Sequence, residues 1–171
     1  MSRRFGIPSR VDAPNRRALW LVLLFSGAGM AVASYLVTLH AAIAKNPHRG
    51  LCTFTDTISC DAVLASPYAE IAGVPVALIG VAGFAALFSL AIVCLFIPQW
   101  GPCRMRATLV LVAAVGLCFE LVMTGVEVLI IQAVCPYCLT ALGLIAGTFL
   151  AALWAWRSGR FASVRPEADH A

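Results

Sequence analysis

The sequence has little charge, and its few charged residues are unevenly distributed. Only 12% of the 171 residues are Asp, Glu, Lys or Arg, and 61% are hydrophobic. A soluble domain carries about a quarter charged residues and about half apolar ones. Residues 18–44 and 71–103 contain no charged side chain, and residues 107–156 contain only Glu120 and Glu127. Because each stretch exceeds the roughly 20 apolar residues that cross a hydrocarbon core, the composition excludes an ordinary soluble domain.

The uncharged stretches predict four membrane-spanning helices. A single helix over residues 107–156 would measure about 75 Å, far more than a hydrocarbon core about 30 Å thick. We expect the break at Pro136, because proline disrupts a helix interior but is favoured in a first turn. The predicted segments are a basic N-terminus at 1–17, a transmembrane domain at 18–156 with spans near 18–43, 74–97, 107–132 and 136–156, and a tail at 157–171.

The basic residues predict the orientation of these spans. Ten of the twelve Lys and Arg residues precede the first span, separate the second from the third, or follow the fourth. Since positively charged short loops stay in the cytoplasm, we expect both termini there and residues 44–73 and 133–136 on the exoplasmic face. The net charge of +4 then reflects topology rather than nucleic-acid binding. An alternative is that the first span is a signal peptide cleaved near residues 31–33, but its uncharged run is longer than a signal core of about 7–15 residues.

The seven cysteines divide into two groups under this topology. Four are expected on the exoplasmic face, where disulfides form: Cys52 and Cys60 in the loop, and Cys135 and Cys138 at the fourth span. We expect the other three to be inert, either as a free cytoplasmic thiol or as small apolar side chains. These are Cys103 in the cytoplasmic loop, and Cys94 and Cys118 within spans.

The Cys-x-x-Cys spacing of Cys135 and Cys138 is typical of thiol–disulfide chemistry. The two sulfurs can close a short disulfide, and a helix N-terminus lowers the pKa of the first thiol. A second pair on the same face allows electrons to pass through mixed disulfides. Two alternatives remain open. One is a zinc site, which the seven-residue gap between Cys52 and Cys60 fits poorly, and the other is a pair of inert disulfides, of which the Cys-x-x-Cys loop would constrain the unfolded chain very little.

The two cysteine pairs belong to a longer pattern of residues. It reads Cys52-x7-Cys60-Asp61-x-Val63-x2-Ser66-x6-Gly73-Val74-Pro75, then Gly80 in the next span, and Glu127 eight residues before Cys135-Pro136-Tyr137-Cys138. This pattern resembles bacterial homologues of vitamin K epoxide reductase over most of residues 15–156. In the functionally analogous DsbB family the Cys-x-x-Cys motif precedes the separated pair, whereas here it follows.

The resemblance implies an all-α integral membrane fold. It is a bundle of four transmembrane helices around a quinone pocket, with an exoplasmic loop and a short capping helix between the first two spans. Cys138 would face the quinone, and Cys135 would exchange disulfides with Cys52 and Cys60. Ser66, on the capping helix, and Glu127 are candidate quinone-binding residues, and no metal is implied. Because only about fifteen residues follow the fourth span, the thioredoxin-like partner is expected to act in trans.

The implied function is the reoxidation of a DsbA-like protein outside the bacterial cytoplasm. Electrons would pass from the loop pair to the Cys-x-x-Cys pair and on to ubiquinone or menaquinone in the inner membrane. In one alternative, the protein serves to reduce a quinone or quinone epoxide, and thiols supply the electrons. Another is a non-catalytic membrane scaffold or transporter subunit with structural disulfides.

Two carboxyl groups lie inside the predicted spans. Glu120 and Glu127 are two helical turns apart, and a charge within a span costs several kcal/mol unless it is satisfied, so we expect both to face the bundle interior. A straight helix would place Glu127 about 12 Å along its axis from Cys135. Such carboxyl groups serve either a quinone pocket or hydrogen bonding between helices. Three further interpretations concern single positions: His40 as an interfacial residue, Asp61 as a helix N-cap or a neighbour of the Cys60 thiolate, and Gly80 and Gly83 as contacts between spans.

Overall fold

The fold is an α-helical bundle with a small cap at one end. The computed structural model describes residues 13–45, 57–96 and 102–162. In chain order the helices are α1 Ala13–Lys45, α2 Cys60–Leu64, α3 Val76–Phe96, α4 Pro102–Val126 and α5 Pro136–Ala162. Between α2 and α3 lie a 3-10 helix, Pro67–Ala69, and two strands, β1 Glu70–Ile71 and β2 Val74–Pro75. Within the described residues four helices are long and apolar enough to cross a membrane, which confirms the predicted four-helix membrane fold.

The helices do not end where the uncharged stretches end. α1 begins at Ala13 rather than at residue 18, and α5 continues to Ala162 rather than stopping at 156. Arginine is a good helix former, so a helix can run past the apolar stretch that first reveals it. Likewise α4 begins at Pro102, where a proline in the first turn loses no hydrogen bond, and Cys103 therefore lies in a helix rather than in the predicted loop.

The core of the bundle is built from leucines packed among small residues. Leu19, Leu87 and Leu109 are almost completely buried, together with alanines on each long helix. At Gly29 on α1, an added Cβ would overlap the ring of Phe84 on α3. Gly80 also lies near α1, as predicted. Gly83 does not, because no described residue lies within 4 Å of a Cβ added there and the residue is exposed, so its predicted contact is wrong.

Residues 57–75, which we call the cap, cover the same end of the bundle as the start of α5. Ser59 is the N-cap of α2, since its hydroxyl oxygen accepts the Ala62 N–H at 3.2 Å. Asp61 lies in the first turn instead, so its interpretation as the N-cap is wrong. β1 and β2 form a hairpin whose turn residues Ala72 and Gly73 both have positive φ, 53° and 78°. Such φ values are those of the two-residue turns whose twist suits a hairpin.

The chain leaves α4 through a single π-helical turn, Glu127–Ile131. Its Gln132 has a left-handed backbone, with φ 56°, and both Gln132 and Ala133 donate their N–H groups to the Glu127 carbonyl. The wider turn lets these backbone groups at the end of α4 form hydrogen bonds while the chain reverses toward α5. As a result, the segment before Cys135 folds back over the end of α4.

Candidate redox site and cavity

Cys135 lies at the start of a helix, as its sequence context predicts. It directly precedes Pro136, the first residue of α5, and its carbonyl accepts the Leu139 N–H at 3.1 Å. The side chain of Cys135 is fully buried, whereas Cys138, one turn into α5, is half-buried. Between them, the ring of Tyr137 lies 5.0 Å from that of Tyr35 on α1, which fixes the start of α5 against the bundle.

Backbone pairing brings the cap to this helix start. Val134 donates its N–H to the Thr57 carbonyl at 2.9 Å, and Ser59 donates to the Val134 carbonyl at 3.2 Å. The paired segments therefore deliver Cys60 and Cys135 side by side, with their Sγ atoms 3.2 Å apart and both side chains fully buried. Cys52, the other predicted member of the loop pair, lies outside the described residues.

The surroundings of Cys135 favour its thiolate. The hydrogen bond from the Cys138 thiol lowers the pKa of Cys135, and although burial opposes this effect, the Cys60 thiol and the backbone N–H groups of Cys138 and Tyr137 lower the pKa further, to about 7 from an ordinary value of 9.0. Donors converging on the sulfur at a helix N-terminus are the arrangement that activates cysteine nucleophiles. Cys135 is thus close to half ionised at neutral pH.

A cavity lies between the cap and the long helices. The cavity has a volume of about 80 Å³, several times what one water molecule needs. Its walls include Cys138, both predicted carboxyl residues and the predicted Ser66. The apolar walls include Leu36, Val63, Leu64, Phe84, Met123 and Ile131. An apolar cleft with a few polar groups is typical of a small-molecule site.

Ser66 and Glu127 occupy different places around this cavity. Ser66 lies at the junction of α2 and the 3-10 helix, and its hydroxyl donates to the Val63 carbonyl at 2.7 Å. Glu127 is only 4% exposed, and its Oε2 accepts the Cys135 N–H at 3.2 Å. The chain reverses between Glu127 and Cys135, so the separation predicted for a straight helix is wrong and the two residues lie much closer together.

His40 was interpreted as an interfacial residue, but the structure gives it a partner and a place in the site. Its Nε2 lies 3.1 Å from Oε1 of Glu70, on β1 of the cap, and its ring lines the cavity. The two residues are 30 positions apart, so no local sequence pattern could pair them. Ala33, Leu36 and His40 do recur at helical spacing along α1, and this stripe was the available signal that His40 faces inward.

The remaining cysteines lie away from this site. Cys94 is buried in the helical core, and Cys118 is exposed on α4. The side chain of Cys103 lies outside the described part of the chain. Over residues 13–45, 57–96 and 102–162, no group of three or more His, Cys, Asp and Glu side chains is arranged to hold a metal ion.

Residues 20–153 match the model of the vitamin K epoxide reductase family. The matched region includes α3, α4, the cap, most of α1 and α5, and the two cysteines that the structure brings together.

Proposed function

Since the chain belongs to the vitamin K epoxide reductase family, we propose that it is a quinone-linked thiol–disulfide oxidoreductase that reoxidises a thioredoxin-like partner. Family membership and the four apolar helices make it a multi-pass membrane oxidoreductase that works with thiols and quinone-type substrates. The direction of electron flow, the partner and the acceptor are the proposal. The partner is DsbA-like.

One observation carries this proposal. Cys60 Sγ lies 3.2 Å from Cys135 Sγ, while Cys138, on the other side of the same motif, lines the cavity. The two sulfurs of the Cys-x-x-Cys pair therefore have different neighbours. The contact with Cys60 supports disulfide exchange between Cys135 and the loop pair, and the position of Cys138 supports reaction with a molecule bound in the cavity.

The exchange steps follow from these positions. Cys60 is fully buried, so a protein partner would first exchange with Cys52 and reduce the Cys52–Cys60 disulfide. The Cys60 thiolate then attacks Sγ of Cys135 and releases Cys138 as a thiol. Attack of Cys52 on Cys60 closes the loop disulfide again and releases Cys135, whose low pKa makes it a good leaving group. Two electrons and two protons have then moved from the partner to Cys135 and Cys138.

The cavity fits a quinone ring with a few polar contacts. Its apolar walls suit a neutral ring, and the buried Glu127 and the hydroxyl of Ser66 supply polar groups at the Cys138 side and the cap side. Bound there, the quinone, ubiquinone or menaquinone, would accept two electrons and two protons. Cys138 and Cys135 would return to the disulfide, and Glu127 would hold the backbone of Cys135 in place during this change.

We also propose an orientation for the protein in the membrane. The basic residues of the N-terminus, the α3–α4 connection and the C-terminus belong in the cytoplasm, and the cap with both cysteine pairs belongs on the exoplasmic face of a bacterial inner membrane. On that face secreted proteins acquire their disulfides.

The test is turnover of purified protein in lipid nanodiscs with a reduced thioredoxin-like protein and a short-chain quinone. We expect Cys135→Ala and Cys138→Ala to abolish quinone reduction and Cys94→Ala and Cys118→Ala to retain it. In Cys138→Ala the Cys135 thiolate can attack Cys60 of the loop disulfide and release Cys52, and the Cys60–Cys135 mixed disulfide should be recovered by mass spectrometry, because no Cys138 thiol remains to attack Cys135 and resolve it. Full turnover after loss of Cys138 would sink the proposal. A rate that is substantial only with a small dithiol and a quinone epoxide would favour the reductase alternative.

A further inference from the structure

His40 lies between two open spaces. It lines the cavity that holds Cys138, and it also lines an outer groove between the end of α1 and the cap, in which Glu70 lies as well. The His40 side chain is 13% exposed and that of Glu70 is 50% exposed. The pair therefore runs from a solvent-accessible carboxylate, through a nearly buried ring, to the wall of the cavity.

The contact between the two side chains shows which ring nitrogen of His40 hydrogen-bonds to Glu70. Nε2 of His40 lies 3.1 Å from Oε1 of Glu70, and an ionised carboxylate only accepts hydrogen bonds, so Nε2 carries a hydrogen. Nδ1 remains as the second site for a proton. A histidine oriented by a carboxylate in this way is a standard arrangement for proton transfer.

Quinone reduction creates a need for such a pair. A para-quinone takes up one proton on each of two oxygens at opposite ends of its ring, so one donor cannot serve both. On the Cys138 side, Glu127 already accepts a hydrogen bond from the Cys135 N–H. Glu120 lies two turns further from the cap along α4. Among the residues that the structure describes, the other titratable groups near His40 are Tyr68, in the same cavity wall, and Lys45, on the last turn of α1.

We propose that His40 and Glu70 carry a proton from the solvent at the cap into the cavity, to the quinone oxygen that does not face Cys138. The proposal rests on the proposed function. The balance is simple: the S–S bond of Cys135 and Cys138 forms, two S–H bonds are lost, and two O–H bonds form on the quinone. One quinone oxygen takes the proton of the Cys138 thiol, and the other takes a proton that enters through His40 and is replaced from water through Glu70. The Cys135 proton, from a thiol with a pKa of about 7, goes to solvent.

The first test separates proton transfer from a purely structural bond that fastens the cap. In His40→Gln the side-chain amide can still donate to Glu70, so the cap stays fastened but proton transfer is lost. We expect kcat for quinone reduction to fall by about 100-fold or more, as for loss of a general acid, with KM nearly unchanged. Glu70→Gln keeps an acceptor for His40 and should lower kcat by a smaller factor. Thr38→Val, an exposed position on the same helix, is the control and should behave as wild type.

Two measurements without turnover complete the test. In calorimetric titration, His40→Gln should bind a quinone analogue that cannot be reduced with the same affinity as wild type. In quinone-free protein, diethyl pyrocarbonate should modify His40, as mapped by mass spectrometry, and the bound analogue should protect it.

Three results would overturn the inference while leaving the proposed function intact. They are a wild-type kcat in His40→Gln, a raised KM or weaker analogue binding with kcat unchanged, and modification of His40 that the analogue does not reduce. If wild-type protein fails to reduce quinone with thiols, the proposed function falls and this inference falls with it.

Discussion

The ionisation of Cys135 offers the sharpest test of the site, because one hydrogen bond dominates it. The hydrogen bond from the Cys138 thiol is the largest influence on the pKa of Cys135, which is about 7 rather than 9.0, and burial is the next largest and opposes it. In Cys138→Ala this hydrogen bond is lost while burial remains. We therefore expect the pKa of Cys135 to rise toward its ordinary value, while the Cys60 thiol and the backbone N–H groups of Cys138 and Tyr137 still lower it. Cys138→Ser retains a hydroxyl donor and should keep most of the lowering.

The size of the effect follows from the two pKa values. At pH 7 a thiol of pKa about 7 is about half ionised, whereas one of pKa 9.0 is about 1% ionised, so a full return to 9.0 would lower the thiolate population about 50-fold. A lower pKa also weakens the nucleophile, by about 6- to 10-fold for a Brønsted coefficient of about 0.4–0.5. The net advantage of native Cys135 as a nucleophile at pH 7 is then at most about 5- to 8-fold. This advantage applies when Cys135 attacks the loop disulfide, and that attack should slow as pH falls below 7 and Cys135 is protonated. In the proposed forward exchange Cys135 is the leaving group, which its low pKa favours.

The measurement is an ultraviolet titration of thiolate absorbance in reduced protein. A parent variant retains only Cys60, Cys135 and Cys138, and subtraction of the same titration for Cys135→Ala isolates the Cys135 signal. Absorbance does not require a reagent to reach the buried sulfur. A midpoint near 9 in the parent, or the same midpoint in the parent and in Cys138→Ala, would refute the reasoning.

Two further predictions concern stability, measured as thermal or denaturant unfolding of detergent-solubilised protein. Glu127→Ala should lower the free energy of unfolding by about 1–3 kcal/mol, because it leaves the buried Cys135 N–H without its acceptor. Glu127→Gln keeps a carbonyl oxygen and should cost clearly less. Equal losses in the two variants would contradict a role for this hydrogen bond. Gly29→Ala should cost up to about 2 kcal/mol, because overlap of its Cβ with the Phe84 ring costs about 1–3 kcal/mol and helix propensity returns about 1 kcal/mol. Gly83→Ala, with no described residue near its Cβ, should gain about 1 kcal/mol of stability, and a similar change at both glycines would argue against close packing at Gly29.

The sequence allowed the fold to be predicted because membrane solvation leaves little choice. A backbone in hydrocarbon must satisfy its own hydrogen bonds, so long uncharged stretches become helices, and Pro136 shows where the last stretch divides. Helix ends were less predictable. The uncharged stretch marks the hydrocarbon, but α1 and α5 continue into residues that include arginines.

The chemistry of single residues was also partly visible in the sequence. Cys-x-x-Cys before a helix predicts an activated first thiol, and the structure supplies the donors that lower the pKa of Cys135. The sequence did not indicate that Ser59 rather than Asp61 is the N-cap of α2, since both residue types suit that position.

The sequence by itself determined a four-helix membrane protein with a Cys-x-x-Cys motif at a helix start, because hydropathy and proline act locally along the chain. Only the tertiary structure decided which groups meet. The contact of Cys60 with Cys135 depends on pairing between segments 75 residues apart, and the His40–Glu70 pair depends on how the cap folds onto α1. Glu127 reaches the Cys135 N–H because the π-helical turn and Gln132 reverse the chain. These are long-range contacts, and they arise from packing that no local pattern specifies.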